Sequence, residues 1–424
     1  MTSALIEDLE WRGLIAQTTD REALLKDLNS GSVTYYCGYD PTAPSLHVGN
    51  LVVLTVMRRF QLAGHKPLPL VGGATGLVGD PSGRNEERSL NDESVVEEWV
   101  SRLRNQISKF LDFNAPKNAA VMVNNLDWTK SMSALEFLRD VGKHFSVNQM
   151  LSKDSVSSRL EAGGISYTEF SYQVLQGYDF LELYRRHNCK IQLGGSDQWG
   201  NIVAGLDLIR KVEQGSAHAF TVPLMTKSDG SKFGKTASGA VWLDPEMTSP
   251  YAFYQYWLNT EDADVPKFLK VFSFKDRAEI ERLIETVQTN PGAREAHREL
   301  ARELTTLVHG EKECVQAEAA GKALFGQGEL SDLDEKTLES ALSQLPRTTI
   351  NKGDAFPTWV DLLAATGVVD SKSAARRIVK EGGAYLNNQK VTAEDFAPSS
   401  SDLLYGRFLL LRKGKRDLAA VELL

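Results

Sequence analysis

Two short segments, far apart in the chain, carry side chains that are suited to binding phosphate. In "PSLHVGNL", Ser45 has the residue type of an N-cap, which places His47 and Gly49 in the first turn of the following helix. Backbone N–H groups at such a helix start attract anions. In "TKSDGSKFGKTASG", Lys232 and Lys235 share a glycine-rich loop, so both can reach one polyphosphate. Taken alone, these segments are more simply a surface histidine beside a cap and an ordinary turn.

A glycine-rich segment follows an apolar, strand-like run. "GGATGLVGDPSGRNEERSL" holds five glycines before the next helix, and strand-to-helix loops of this kind often bind phosphate. Its spacing matches neither of the common phosphate-loop patterns, so it indicates a nucleotide pocket and nothing more specific. Asp80 would receive an ammonium group at the carboxyl end of a parallel sheet. Arg84 and Arg88, four residues apart, suit phosphate and solvent equally well.

A polar helix face is the third candidate. In "YTEFSYQVLQGYDF", Tyr172, Gln176 and Asp179 fall at i, i+4 and i+7, so the three side chains share one face of a helix that is otherwise apolar. A buried hydrogen-bond network would explain this pattern. The wall of a pocket for a small polar ligand would explain it too.

The elements that must position these residues alternate between strand and helix patterns. Short apolar runs from Val33 to Met225 indicate strands, and the segments between them carry apolar residues at helical spacing. This alternation predicts an α/β fold with a mostly parallel sheet and right-handed crossovers. The segment "SALEFLRDVGKHFSVNQML" is an additional helical excursion, long enough to be an insertion.

The chain changes character twice after this region. From Pro250 to about Leu345 the pattern is almost purely helical, and "LPRTTINKGDAFP" then marks a polar boundary. The remainder predicts two helices, a hairpin turning at Asn387 and Asn388, and a strand with a basic end. From Lys352 onward there are eleven basic and nine acidic side chains, a net charge of +2 against −8 for the whole chain. A slightly basic tail on an acidic body indicates contact with a polyanion.

Composition limits the class of protein. With 424 residues, of which 42% are apolar, the chain can bury the cores of two or three domains. Its three cysteines lack metal or disulfide spacing, which indicates a reducing compartment. The N-terminal segment lacks a signal-peptide layout, and no run approaches the roughly 20 apolar residues that span a bilayer. We therefore expect a soluble, cytoplasmic protein with no resident metal ion and no membrane partner.

Taken together, the motifs resemble those of class I aminoacyl-tRNA synthetases. "HVGN" before a helix and "KFGKT" in a distant loop are similar to the HIGH and KMSKS elements of that class. "YCGYDPTAPSLHVGNL", "GGATGLVGDPSG", "TEFSYQVLQGYDF" and "GGSDQWGNI" add a close resemblance to bacterial tyrosyl-tRNA synthetases, over essentially the whole chain. The C-terminal segment resembles a small RNA-binding module shared with a ribosomal protein. Each motif is weak alone, but their order and spacing are very specific.

The resemblance implies a fold class and a domain order. We expect a Rossmann-like, parallel-sheet catalytic domain over residues 1–225, with a helical insertion at about 100–160. The KMSKS-type loop and an α-helical domain would occupy residues 226–345, a linker 346–357, and a small α+β tRNA-binding module 358–424. The family also implies a homodimer that pairs through the excursion around Phe137 to Met150.

The resemblance also assigns roles to matching positions. The residues expected to bind L-tyrosine are Tyr36, Asp80, Tyr172, Gln176, Asp179 and Gln198, with Tyr36 and Asp179 on the phenolic hydroxyl. The residues expected around ATP, which would arrive with Mg²⁺, are Gly38, Asp40, Thr42, His47, Gly49, Asn50, Gly195, Asp197, Lys232 and Lys235, with Arg84 and Arg88 near the phosphates. The residues expected to contact tRNA(Tyr) are Lys372, Arg376, Arg377, Arg412, Lys413, Lys415 and Arg416.

The implied chemistry needs no catalytic triad. A tyrosine carboxylate attacks the α-phosphorus of ATP, so the nucleophile has no proton to lose, and catalysis rests on positioning and on charge near the leaving pyrophosphate. The terminal adenosine of the tRNA then takes the tyrosyl group. Tyrosyl-tRNA synthetases are themselves the known example of a hydroxyl-binding pocket that rejects phenylalanine by about 10⁵ without editing. Asn50 departs from the second His of HIGH, but its amide can place a donor near the same point, so we expect activity to be retained.

Two rival enzyme classes and one non-enzyme remain to be separated. A tryptophanyl-tRNA synthetase would have no use for the Tyr36 and Asp179 pair, and simpler nucleotidyltransferases lack the C-terminal RNA module. A non-catalytic RNA-binding relative would be expected to have lost the lysines or the glycine-rich loop, which are present. Tyrosine-dependent exchange between ATP and pyrophosphate separates all of these readings.

Overall fold

The computed structural model describes residues 2–82, 91–236 and 239–424. Internal contacts divide the chain into two units. The first comprises Met1–Asp244 and Glu261–Pro291, and the second comprises Pro245–Thr260 and Gly292–Leu424. This division differs from the boundary expected after residue 225, because the loop that carries the two lysines and the helices of Glu261–Pro291 pack with the sheet-containing unit.

The secondary structure alternates as expected over the first unit and is mainly helical before the C-terminal sheet. The strands are β1 (Gln17–Thr18), β2 (Thr34–Tyr39), β3 (Lys66–Val71), β4 (Val123–Asn124), β5 (Cys189–Gly195), β6 (His218–Val222), β7 (Lys235–Thr236), β8 (Gly239–Ala240), β9 (Arg347–Ile350), β10 (Ala384–Leu386), β11 (Gln389–Lys390), β12 (Phe408–Lys413) and β13 (Asp417–Leu423). The α-helices are α1 (Thr2–Trp11), α2 (Arg21–Ser30), α3 (Val48–Leu62), α4 (Glu93–Ile107), α5 (Leu126–Thr129), α6 (Ala134–Glu136), α7 (Val147–Leu151), α8 (Asp154–Ala162), α9 (Tyr167–His187), α10 (Trp199–Glu213), α11 (Pro250–Leu258), α12 (Val265–Phe272), α13 (Arg277–Thr289), α14 (Glu295–His309), α15 (Glu311–Ala323), α16 (Glu335–Ser343), α17 (Trp359–Ala365) and α18 (Lys372–Lys380).

The sheet of the first unit has the strand order β1-β6-β5-β2-β3-β4. All neighbouring strands run parallel except β1, which lies antiparallel to β6, so the predicted α/β fold with a mostly parallel sheet is confirmed. From β2 the chain proceeds outward through β3 and β4, and it then returns to the other side of β2 with β5 and β6. Ligands of such sheets bind at this reversal, beyond the carboxyl ends of the strands. The reversal lies between β2 and β5, where Tyr36 is in register with Gln192.

Helix α3 begins at the reversal and is capped by His47, not by Ser45. The His47 Nδ1 accepts the Gly49 N–H at 3.0 Å, and the Asn50 Oδ1 accepts the His47 N–H at 3.0 Å. The Ser45 hydroxyl instead accepts the N–H of Asp244 at 3.1 Å, so the prediction that Ser45 caps this helix is wrong. A side chain on each side of the helix start thus satisfies a backbone donor that the helix itself leaves without a partner.

The predicted helical excursion is broken into short turns. Helices α6 and α7 are separated by a π-helical turn, Phe137–Val141, and a 3₁₀ turn, Gly142–His144. The apolar residues of the excursion divide into a buried set and an exposed set. Val141 and Met150 are buried, whereas Leu135, Leu138 and Val147 are 80%, 52% and 58% exposed.

The C-terminal sheet belongs to the second unit and has the order β11-β10-β12-β13-β9. Its strands are antiparallel except for β9, which pairs in parallel with β13. The linker prediction is therefore wrong for Arg347–Ile350, where Ile350 is 5% exposed within the core of the module. The predicted hairpin turn is confirmed, since Asn387 and Asn388 have φ of 46° and 67° and join β10 to β11. Within the described ranges, no helix combines the length and apolar character required to cross a bilayer.

Candidate active site

A cavity of about 710 Å³ opens at the carboxyl ends of β2 and β5. Residues from β2, β5, α3 and α9 meet there, although they are far apart in the sequence. The predicted residues that line it are Tyr36, Gly38, Asp40, Thr42, His47, Gly49, Asn50, Asp80, Tyr172, Gln176, Asp179, Gly195, Asp197, Gln198 and Lys232. Arg84 and Arg88 lie outside the residues that the structure describes.

The buried end of the cavity is built around the carboxylate of Asp179. Its Oδ2 accepts a hydrogen bond from Asn125 Nδ2 at 3.0 Å, and its Oδ1 accepts one from Trp128 Nε1 at 2.8 Å. Tyr36 is 1% exposed, and its hydroxyl has no hydrogen-bond partner among the described residues. Gln192 is 2% exposed, and its Oε1 also has no partner within the same part of the chain. Such groups are costly to bury unless a ligand satisfies them.

The ionisation of these groups suits a ligand hydroxyl. Burial raises the pKa of Asp179 to about 7, and the carboxylates of Asp40 and Glu182 add to this rise, while the bonds from Asn125 and Trp128 oppose it. Burial also raises the pKa of Tyr36 well above its usual range, reinforced by the nearby Asp179. Tyr36 is therefore a hydroxyl donor at neutral pH, and the ionised Asp179 is an acceptor. A phenol can accept from the first and donate to the second.

This geometry predicts that tyrosine binds more weakly as the pH falls. Both oxygens of Asp179 already accept hydrogen bonds, so a proton on either oxygen displaces one donor and weakens the acceptor that the phenol needs. The ionised form prevails above the pKa of about 7 and is lost below it. We expect tyrosine affinity, measured by equilibrium dialysis, to fall about tenfold between about pH 8 and about pH 6. An unchanged affinity over this interval would contradict the assignment, and Asp179→Asn should abolish the dependence.

The middle of the cavity concentrates negative charge. The Oδ1 of Asp40 accepts a hydrogen bond from Thr75 Oγ1 at 2.6 Å, and its Oδ2 accepts one from the Tyr172 hydroxyl at 2.8 Å. The Oδ2 of Asp80 accepts from Gln198 Nε2 at 2.7 Å. These three donors are neutral side chains that orient the two carboxylates. An ammonium group placed between them would gain a favourable interaction with both.

The open end of the cavity lies at the start of α3. Because the His47 Nδ1 accepts the Gly49 N–H, a neutral imidazole carries its proton on Nε2 and can donate it to an anion. Partial loss of solvent around the His47 ring lowers the pKa of this residue, and the positive charge of Lys235 lowers it further. Lys235 does not line the cavity itself, but it lies close enough to act on the ring. The start of α3 thus offers a neutral donor, a nearby cation and the helix N-terminus to a phosphate group.

We expect Gly49→Ala to impair ATP use strongly. A Cβ at position 49 would lie 2.7 Å from His47 Cε1 and 2.8 Å from Nδ1, so the ring must leave the cap. Alanine favours the helix, so lost helix stability cannot account for the effect. The expected fall in kcat/KM for ATP is at least about tenfold. Gly142→Ala is the matched control, since a Cβ there meets nothing closer than 3.6 Å. Equal activity of the two variants would refute this role of Gly49.

Backbone hydrogen bonds join the segments that carry the two predicted phosphate-binding motifs. The Val48 N–H donates to Val241 O at 2.9 Å, and the Leu243 N–H donates to Leu46 O at 2.8 Å. Gly234 has φ of +78°, and a Cβ there would lie 2.7 Å from Val48 Cγ2. A larger residue at position 234 would therefore conflict with its own backbone and with α3. This packing explains why glycine stands at a position where KMSKS has serine.

Close packing accounts for glycines of the glycine-rich loop. A Cβ on Gly72 would lie 2.0 Å from Asp40 Oδ1, and a Cβ on Gly76 would lie 2.6 Å from Pro41 Cγ. These contacts require glycine without reference to a nucleotide. The loop reaches the cavity through side chains instead, since Thr75 lines it and donates to Asp40.

Comparison with known proteins agrees with this geometry. The family described as tRNA synthetases class I (W and Y) matches residues 28–326, and the tyrosine–tRNA ligase SYY-like C-terminal domain matches residues 337–421. A tyrosine–tRNA ligase of Streptomyces avermitilis is 61% identical over 420 residues, which cover 99% of this chain and 98% of that protein. Another, from Streptomyces coelicolor, is 61% identical over 421 residues and covers 99% of both proteins. This chain belongs to the tyrosine–tRNA ligase family.

Solved structures of the family share the fold. A C-terminally truncated mitochondrial tyrosyl-tRNA synthetase of Aspergillus nidulans superposes with a TM-score of 0.68 at 32% sequence identity. The superposition covers 76% of this chain and 94% of that chain. It supports the Rossmann-like class I architecture that the sequence predicted.

The basic residues expected to bind tRNA in this family member differ in their surroundings. Several face an acidic neighbour, and Arg412 lies 3.8 Å above the ring of Tyr385. The ion pairs are Lys372 with Asp361 at 2.7 Å, Arg376 with Glu394 at 4.0 Å, Arg377 with Glu381 at 3.2 Å and Lys413 with Asp417 at 2.9 Å. Lys415 and Arg416 are exposed and form no ion pair with any described residue.

Sequence reasoning missed four polar residues of the synthetase cavity. Asn125 and Trp128 hold Asp179, Thr75 holds Asp40, and Gln192 lines the cavity beside Tyr36. Asn125 could have been predicted from the sequence, because it directly follows a strand and therefore lies at the carboxyl edge of the sheet. Gln192 also carried a signal, since it is a polar residue inside the otherwise apolar strand "CKIQLGG".

Proposed function

We propose that this chain is a tyrosine–tRNA ligase. It activates L-tyrosine with ATP to tyrosyl-adenylate and pyrophosphate, and it then transfers the tyrosyl group to the 3′-terminal adenosine of tRNA(Tyr). The observation that carries the proposal is the buried end of the cavity, where the Tyr36 hydroxyl has no partner among the described residues and lies near enough to Asp179 for that carboxylate to raise its pKa. A tryptophan side chain has no hydroxyl to satisfy both groups, which favours tyrosine within the family.

The activation step follows from how the cavity distributes its polar groups. Tyr36 and Asp179 bind the phenol, Asp80 and its neighbours attract the ammonium, and the tyrosine carboxylate points toward the open end. An oxygen of that carboxylate forms a bond to the α-phosphorus, and the bond from this phosphorus to the bridging oxygen breaks. The electron pair leaves with pyrophosphate, so no proton has to move.

The start of α3 and the lysine loop stabilise the charge that develops on the leaving group. His47 donates from Nε2, and Lys232 lines the cavity at this end. Fixed donors and charges of this kind supply transition-state stabilisation without any covalent intermediate on the protein. Mg²⁺ would enter with the ATP substrate and supply further positive charge to its phosphates. Among the described residues, no group of three or more His, Cys, Asp or Glu side chains is arranged to hold a metal ion.

Exchange of labelled pyrophosphate into ATP tests the activation step. We expect exchange that depends on tyrosine, with tryptophan and phenylalanine inactive at equal concentration. No exchange with tyrosine would overturn the proposal, and exchange with tryptophan would move the chain to the other branch of its family.

The C-terminal module is proposed to bind tRNA through its basic turn. Lys415 and Arg416 follow Gly414 in the turn between β12 and β13 and are exposed. We expect the double variant Lys415→Glu, Arg416→Glu to weaken tRNA binding and to lower the slope of log affinity against log salt by about two. Tyrosine-dependent exchange should be unchanged, since the variant leaves the first unit intact. An unchanged salt slope would exclude these two contacts.

The assembly and location follow as further proposals. Leu135, Leu138 and Val147 are exposed apolar side chains of the excursion, which suits pairing of this segment with a second copy of this chain. Sedimentation should report a homodimer, and Leu138→Asp should produce a monomer.

The work of a tRNA ligase and the three reduced, buried cysteines suit the cytoplasm.

A further inference from the structure

The lysine loop is held against α12 by contacts that the reaction itself does not explain. The loop begins as a tight turn, in which Thr226 and Lys232 form a β-bridge and the Lys227 N–H donates to Ser231 O at 3.0 Å. Lys232 follows this turn directly and lines the cavity. The position of the turn therefore sets where the Lys232 side chain starts.

Asp264 holds the turn at its outer end. Its Oδ1 accepts the N–H of Ser228 at 2.7 Å, and the residue is only 3% exposed. Asp264 sits at the N-cap of α12, where aspartate ordinarily accepts an N–H of its own helix, yet its side chain makes no such bond. A carboxylate is expensive to bury without hydrogen bonds. The Asp264 carboxylate accepts a hydrogen bond from the loop and does not cap its own helix, which indicates that it fixes the loop.

Two further contacts hold the same loop to the same helix. The Lys267 Nζ donates to Thr226 O at 2.9 Å. Phe233, which separates the two loop lysines, is 9% exposed, and its ring packs 5.0 Å from Phe268 and 5.5 Å from Phe272 between centroids. Lys232 and Lys235 thus flank Phe233 in the sequence, and the ring of Phe233 packs against α12.

Helix α12 is in turn fixed to α3. The carbonyl of Ser273, just beyond the end of α12, accepts hydrogen bonds from Arg59 Nη2 at 2.6 Å and from Arg12 Nη1 at 2.8 Å. Arg59 is 7% exposed and lies near the end of α3, the helix that His47 caps. One helix therefore carries His47 at its start and supports, through α12, the loop that carries the lysines.

We infer that Asp264 is a positioning residue for the lysine loop, which keeps Lys232 and Lys235 directed at the phosphates of ATP. This inference rests on the proposed function for its kinetic consequence. The structural consequence, a loop held in place by Asp264, stands on the contacts alone. The two consequences call for separate measurements.

The kinetic measurement compares substrates in pyrophosphate exchange. Asp264→Ala leaves the Ser228 N–H without its charged acceptor, so kcat/KM for ATP should fall about 10- to 100-fold, while KM for tyrosine stays within about twofold. Asp264→Asn keeps an acceptor oxygen and should recover activity to within about fivefold of the parent. An unchanged kcat/KM for ATP in Asp264→Ala would overturn the inference. A rise in KM for tyrosine beyond about twofold would also overturn it, because it would indicate damage that reaches the buried end of the cavity.

The structural measurement follows trypsin cleavage after Lys227, Lys232 and Lys235 in the folded full-length enzyme. Asp264→Ala should be cut in this loop at least about fivefold faster than the parent, since release of the turn raises its open population. Asp276→Ala is the matched control, because Asp276 caps its own helix α13 and does not touch the loop. Equal loop cleavage in the two variants would overturn the inference.

The two measurements separate the possible failures. If the parent shows no tyrosine-dependent exchange, the proposed function fails, and cleavage of the loop still decides the role of Asp264. If Asp264→Ala does not fold, Asp264→Asn and Phe233→Leu take its place, with faster loop cleavage in both expected and parental cleavage rates contradicting the anchor.

Discussion

Asp179→Asn should lower kcat/KM for tyrosine by about 10²- to 10³-fold while KM for ATP stays within about twofold. Both oxygens of Asp179 accept hydrogen bonds, one from Asn125 and one from Trp128. An asparagine amide turns one of these acceptors into a donor that faces another donor. The variant therefore loses a hydrogen bond within the pocket and also the charged acceptor for the phenol of tyrosine.

Two controls on the same side of the pocket sharpen this prediction. Tyr36→Phe removes a hydroxyl without adding an opposing donor, so we expect a smaller loss of about tenfold and a weaker preference for tyrosine over phenylalanine. Glu182→Gln alters a buried carboxylate one helical turn after Asp179, which pairs with Arg185 and Arg186 outside the cavity. It should leave tyrosine kinetics within about twofold. If Asp179→Asn were no worse than Glu182→Gln, the buried end of the cavity would not be the hydroxyl site.

The sequence predicted the polar wall of the cavity because that wall obeys local rules. Tyr172, Gln176 and Asp179 lie on one helix, so their spacing alone places them on a common face, and the structure brings all three to the cavity. Tyr36 belongs to a strand whose place in a parallel sheet followed from the alternation of elements. Placing these residues in the cavity required only the helical spacing of one segment and the assignment of one strand.

Other partners depend on contacts between distant segments. The bonds that Asn125 and Trp128 make to Asp179 span more than fifty residues, and no periodicity connects them. The cap at His47 was misassigned to Ser45, because residue type favours serine, whereas Ser45 is engaged by Asp244 from another segment. A single sequence gives residue type and local spacing. It does not show that a distant segment, here the one that carries Asp244, engages the hydroxyl of Ser45.

The domain division shows the same limit. The helical pattern after Pro250 predicted one continuous helical domain, but α12 and α13 pack with the first unit. The reason lies in buried contacts such as the hydrogen bond from Arg59 to the carbonyl of Ser273. These two residues are 214 positions apart in the sequence. Similarly, β9 is short and polar in sequence, and only its pairing with β13 identifies it as a strand.

Replacing either loop lysine by alanine should lower kcat for pyrophosphate exchange by about 10²-fold with little change in KM for tyrosine. Lys232 lines the open end of the cavity, and the charge of Lys235 reaches His47 at the same end, where pyrophosphate would leave in the proposed reaction. In the proposed reaction this charge acts on the transition state more than on tyrosine, whose hydroxyl would lie at the opposite, buried end. Lys227→Ala is the control, because Lys227 belongs to the same turn but neither lines the cavity, as Lys232 does, nor acts on His47, as Lys235 does.

The two lysines should differ in their effect on His47. The charge of Lys235 lowers the pKa of His47, so Lys235→Ala should raise that pKa, whereas Lys232→Ala should leave it close to the parent value. Titration of the His47 ring by NMR measures this directly in the enzyme without substrates. A rise in Lys235→Ala alone would place that lysine beside the ring, where it keeps the imidazole neutral until the phosphates arrive. Equal shifts in both variants would mean that the loop carries its charges as one mobile group, and that Phe233 does not fix which lysine faces His47.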